Sequence, residues 1–112
     1  MVAENNKSAQ SWYAVGCYYY LIKSYANARH YFNKSTTANR EFGEAWLAFG
    51  HTFSAEKEHD QAMSAYRTAA RLLIGSHLPL LSIGVELVRA NNLPLALEFL
   101  EKAHKMQPSD PL

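Results

Sequence analysis

The feature that most constrains this chain is a 34-residue register that recurs without insertion. Trp12 and Trp46 stand one period apart and Leu80 one period further on. The same step relates Val15, Phe49 and Ile83, then Gly16, Gly50 and Gly84, then Tyr19, Phe53 and Leu87. Later in each unit Ala28, Ala62 and Ala96 share a register, as do Phe32, Tyr66 and Leu100, and Ser35, Ala69 and Ala103. Seven positions held in three copies define an array of stacked units rather than one irregular core. The register sets a polar segment at 1–8, units at 9–42, 43–76 and 77–110, and the start of a further unit at 111–112.

Each unit reads as a pair of helices, which makes the chain all-α. In "GEAWLAFGHTFSAE" the residues Trp46, Phe49, Gly50 and Phe53 fall at i, i+3, i+4 and i+7, one face of a helix. In "DQAMSAYRTAARLL" Ala62, Tyr66, Ala69 and Leu73 continue that spacing. Polar "KEHD" separates the two, with Asp60 as candidate N-cap. In the third unit "ANNLP" marks the turn, with Asn92 as candidate cap and Pro94 just inside the next helix, where its missing N–H costs nothing. Ser76 or His77 before Pro79 makes a similar start. No sustained period-two stretch suggests a strand.

Residue size suggests how the helices cross. A glycine one turn from a large side chain lets a partner helix approach, so Gly16 is expected to face Ala28, Gly50 to face Ala62 and Gly84 to face Ala96. Phe32, Tyr66 and Leu100 would then wedge toward the following unit. Together with Trp12, Tyr19, Trp46, Phe53 and Leu80, these residues form the expected repeat core. One hairpin cannot bury its own apolar face, so the units stack and share a core.

The periodic Trp, Gly, aromatic, Ala, aromatic, Ala and closing Pro108 resemble the tetratricopeptide repeat, over residues 9 to about 110. Arg40 and Ile74 replace the closing proline in the first two units. The resemblance implies a right-handed α-solenoid. A narrower resemblance is carried by "AVGCYYY", the turn "EHDQAM" and "HLP" opening the third unit. These are similar to the middle repeats of the cell-division-cycle sixteen family, tetratricopeptide scaffold subunits of the anaphase-promoting complex. That likeness implies a non-catalytic scaffold of a mitotic ubiquitin ligase, nuclear and cytoplasmic, gripping a small partner subunit in its groove. Asp110 and Pro111 resemble the opening of a fourth unit, and six residues after Met106 are too few for a capping helix. The expectation is therefore a segment of a longer array, with apolar surface at its C-terminal end and a tendency to self-associate. The alternative is a free-standing adaptor of three repeats, or a co-chaperone-like module, that captures a peptide.

The first helix of each unit is expected to line the concave side, with its non-core positions facing the groove. These positions are Gln10, Tyr13, Cys17, Tyr20 and Leu21 in the first unit. They are Glu44, Leu47, His51, Ser54 and Ala55 in the second, and Leu78, Leu81, Val85, Val88 and Arg89 in the third. Tyrosines and aliphatics among a few polar groups suit a peptide held by apolar anchors. A clamp for a terminal carboxylate would place cations at Tyr13, Cys17, Ala48, Leu78 and Ser82, none of which is basic.

Composition narrows the rest. Net charge is +1, so no global field points to nucleic acid or membrane. Lys7, Lys23, Arg29, Lys34 and Arg40 face only Glu4 in the first 40 residues, an asymmetry read as a solvated basic face. The single cysteine excludes an internal disulfide and is compatible with a reducing compartment. "MVAENNKSAQ" lacks the apolar core of a signal peptide, and no apolar run approaches the roughly 18 residues of a membrane span. The five histidines show no His-Glu-x-x-His spacing and read as surface or capping residues. No phosphate-binding glycine loop occurs, and Cys17 lacks a sequence-local base. No metal, cofactor or catalytic residue is expected.

Overall fold

The chain winds into six helices, α1 (Val2–Leu21), α2 (Tyr25–Ala38), α3 (Gly43–Ala55), α4 (His59–Leu72), α5 (Leu78–Arg89) and α6 (Leu93–Met106), in a computed structural model. The structure describes residues 2–106, with side chains from residue 8 onward; Pro108, Asp110 and Pro111 lie outside the described residues. No strand occurs among the described residues. Contacts run between successive helices, with a lighter contact between α1 and α3, as a solenoid requires. α1 begins at Val2, well ahead of residue 9, so the helix runs back through the polar N-terminal segment.

Three turns of one design close the hairpins. Lys23, Lys57 and Asn91 share one register and adopt positive φ of 65°, 65° and 64°. The amide of the following residue donates five residues back, Ser24 to Tyr19, Glu58 to Phe53 and Asn92 to Leu87. The positive-φ residue itself donates three back, Lys23 to Tyr20, Lys57 to Ser54 and Asn91 to Val88. This paired pattern satisfies carbonyls that a helix end otherwise leaves open. Glu58, not Asp60, immediately precedes α4, and no side chain caps it. His77 precedes α5, with Pro79 in its first turn.

The core differs from the expected pattern at its glycines, and Trp12, Tyr19, Trp46, Phe53, Leu80 and Leu100 are partly rather than fully buried. Ala28, Ala62 and Ala96 are buried, but the nearest atoms to each glycine belong to the large residue one turn later. An added Cβ would meet the Phe32 ring at Gly16, the Tyr66 ring at Gly50 and the Leu100 side chain at Gly84. Phe32, Tyr66 and Leu100 thus lie over the glycine of their own unit. The glycine is a seat for that side chain. Ser35 takes the place held by Ala69 and Ala103 because its buried hydroxyl donates to Ala9 O, 2.7 Å away. The main apolar cluster joins the second and third units: Ala62 and Tyr66 of α4, Ile83 and Leu87 of α5, and Ala96 of α6.

Candidate functional site: the concave face of α1, α3 and α5

Stacking three hairpins leaves the first helices side by side, and a cavity of about 390 Å³ opens between them. It is lined by Tyr20 of α1, by His51, Ser54 and Ala55 of α3, by Tyr66 of α4, and by Leu81, Ser82, Val85, Glu86 and Arg89 of α5. Of the residues assigned to the groove from sequence, the structure brings Tyr20, His51, Ser54, Ala55, Leu81, Val85 and Arg89 together around this cavity. Gln10, Glu44 and Leu78 are exposed outside its lining, as are Leu21 and Val88.

Tyr13, Cys17 and Leu47 fall elsewhere. Tyr13 is half-buried with its ring 5.9 Å from that of Phe32 and 5.1 Å from that of Phe42. Leu47 packs against the main apolar cluster. Tyr13, Leu47 and Leu81 share a register, yet only Leu81 remains 39% exposed. Tyr13 is covered by Phe32 and Phe42 of its own unit, and Leu47 by the cluster at the joint of the second and third units. Cys17 is half-buried and hydrogen-bonds Tyr13; burial pushes its thiol up from the ordinary value. Burial, with smaller contributions from Cys17 and Glu44, pushes the Tyr13 phenol up to about 12.

The polar floor of the cavity was missed from sequence. Glu86 is 2% exposed, one of few charged groups so deeply buried. Its Oε1 meets His59 Nδ1 at 2.6 Å, and Arg89 Nη1 donates to Oε2 at 3.0 Å. Ser54 Oγ donates to the same Oε2, and Arg89 Nη1 also donates to Ser54 Oγ at 2.6 Å. One carboxylate therefore ties α3, α4 and the end of α5. The available signal was position: Pro79, Ile83 and Glu86 lie at i, i+4 and i+7, on a buried stripe.

His51 is accordingly not a surface residue, and His59, 40% exposed at its side chain, is tied down by Glu86. His51 Nδ1 shares a 2.9 Å hydrogen bond with Tyr66 Oη. Burial holds the His51 imidazole below its ordinary pKa, against a smaller opposing pull from Glu86. Burial, then the Glu86 charge, holds the Tyr66 phenol above its own. Tyr20 is likewise raised by burial. The cavity thus presents neutral phenols and a neutral imidazole beside apolar Leu81 and Val85, with one cation, Arg89, at its edge. Such a wall can accept and donate hydrogen bonds to a backbone while packing side chains.

Among the described residues, no group of three His, Cys, Asp or Glu is placed to hold a metal ion, and no helix is long and apolar enough to cross a membrane. The excess positive charge of the first unit is partly taken up across the joint to the second, where Arg29 pairs with Glu56 and lies 5.3 Å over the Phe53 ring.

The tetratricopeptide repeat profile matches residues 9–42 and 43–72. The chain belongs to the tetratricopeptide repeat family. It is 52% identical over 112 residues to anaphase-promoting complex subunit 6 of Arabidopsis thaliana, all of this chain and 21% of that protein. It is 50% identical over 102 residues to the human cell division cycle protein 16 homolog, 90% of this chain and 16% of that one. The crystal structure of the APC/C hetero-tetramer Cut9-Hcn1 superposes with a TM-score of 0.88 at 46% identity, over 93% of this chain and 20% of the matched chain. The chain spans about a fifth or less of the length of these relatives.

Proposed function

We propose that this chain is a non-catalytic scaffold segment of an anaphase-promoting complex subunit, and that its concave face holds a peptide segment of a partner subunit. Its setting is then intracellular, in nucleus and cytoplasm. The observation that carries the reading is the cavity between α1, α3 and α5, where Leu81 and Val85 remain over a third exposed beside the Tyr20, His51 and Tyr66 polar atoms. Exposed aliphatics next to fixed hydrogen-bonding groups favour an apolar anchor on an extended backbone. Identity of half or more to subunit 6 relatives, and the likeness to the Cut9 chain of the Cut9-Hcn1 tetramer, support the choice of assembly.

The test is a paired substitution, Leu81→Ala with Val85→Ala, both on the exposed side of α5. Tyr13 and Leu47 are unsuitable, since their truncation would damage packing. Far-UV circular dichroism should be unchanged, while affinity purification from mitotic extract should lose other subunits of the ligase that the unaltered chain recovers. Equal recovery of those subunits by both proteins would refute the groove as their contact.

A further inference from the structure

Beyond Ser54 and Ala55 the cavity continues into a second depression of about 340 Å³, lined by Ser54, Ala55, Lys57, His59 and Arg89. The two share Ser54, Ala55 and Arg89, so they are one groove with two chemistries. The first part is aliphatic and phenolic; the second carries two permanent cations and an imidazole, with no acidic side chain in its lining. Glu86 lies beneath, and both its oxygens are already engaged: Oε1 by His59, Oε2 by Ser54 and Arg89. Arg89 is 52% exposed at its side chain, and among the described residues its hydrogen bonds use Nη1 alone. Nη2 and Nε are left for a ligand. Lys57 is held at the tip of the α3–α4 turn by its positive φ and makes no ion pair among the described residues.

Building on the groove reading above, we infer that Lys57 and Arg89, with His59, form a subsite for a single carboxylate, so that the bound peptide carries an aspartate or glutamate beside its apolar anchor. Charge selects the carboxylate. Glu86 offsets one of the two permanent cations, leaving about one net positive charge, which matches a monoanion and undersupplies a phosphate. Spacing selects the position. Val85 and Arg89 lie one turn apart on α5, about 6 Å along the axis, and an extended peptide covers that in about two residues. The acid therefore stands about two positions from the apolar residue that packs on Val85.

The probe is a bead-bound library of random nine-residue peptides, screened with the labelled 112-residue chain and followed by anisotropy titration of a selected peptide. Aspartate or glutamate should be enriched about two positions from an aliphatic residue. Replacing that acid by its amide should weaken binding about five- to tenfold at low salt, and less at high salt. Lys57→Gln, which leaves the Glu86 network intact, should cut this acid-to-amide ratio to about half, and Lys57→Gln with Arg89→Gln should bring it close to one. Enrichment of aliphatics alone, or an acid preference indifferent to both variants, would overturn the subsite and leave the groove standing. Preference for phosphoserine over aspartate would also overturn it. No enriched sequence, or enrichment unaffected by Leu81→Ala with Val85→Ala, would remove the groove and the subsite together.

Discussion

Adding one carbon at Gly50 isolates the packing rule of the array. A Cβ there would lie 2.5 Å from Tyr66 Cε1 and 2.6 Å from Cδ1, closer than real side chains approach. Tyr66 is 2% exposed and its hydroxyl is hydrogen-bonded to His51, so the ring has nowhere to retreat without losing that bond. In an exposed helix, glycine to alanine would stabilise by about 0.8–1.0 kcal/mol. Here overpacking costs about 1–3 kcal/mol, and loss of the His51 bond about 1 kcal/mol more. The expected balance is a net destabilisation of about 1–3 kcal/mol. For a domain near this size that corresponds to a Tm lowered by about 5–20 °C. Thermal and urea melts followed by circular dichroism at 222 nm measure it. Placing Gly50→Ala in a Tyr66→Leu background should recover at least about 0.5 kcal/mol by coupling. A Gly50→Ala chain that melts higher than the parent would show that propensity wins, and that the glycine is not a seat for the tyrosine ring.

Three further outcomes follow from the same packing. Glu86→Gln should cost about 1–3 kcal/mol, whereas His59→Ala with Arg89→Ala, which strands the buried carboxylate, should cost about 3–5 kcal/mol; urea titration orders the two, and the reverse order would contradict the network. Tyr13, raised from 10.0 to about 12, and the likewise raised Tyr20 and Tyr66 bind protons more tightly folded than unfolded. Their contribution is therefore intact below pH 10 and lost as pH climbs toward 12, and Tyr13→Phe should flatten that decline in melts taken at stepped pH. Lys57→Gly should raise stability by about 0.5–1 kcal/mol, because glycine takes the left-handed conformation without a Cβ penalty.

Much of the fold was legible because its information is periodic: Trp, Gly, Ala and the second aromatic recur in step, and hydrophobic spacing fixed the helices around them. What was not legible depends on pairing across units. The partner of each glycine could not be read from register alone, since the alanine and the later large residue stand one turn apart on the same helix. Tyr13, Leu47 and Leu81 occupy one register position but different surroundings, because burial there depends on which side chains neighbouring elements bring, Phe32 and Phe42 at Tyr13 and the inter-unit cluster at Leu47. Glu86 escaped notice because a carboxylate on a helix usually faces water. Its partners come from Ser54 and His59, roughly thirty residues away in sequence by the repeat period. The left-handed closure of the hairpin turns was not visible for another reason: lysine or asparagine, not glycine, fills that position in all three.

The uneven placement of the apolar cluster and of Glu86 has a mechanical consequence. Between the second and third units, a shared oily centre and a sunken carboxylate clamp resist both twist and slide. Between the first and second, the ion pair Arg29–Glu56 sits near the surface, about a third accessible on each side, where water can take its place. Among the described residues Tyr20 alone brings α1 to the cavity wall, so that bank belongs to the first joint while the Glu86 clamp holds the other.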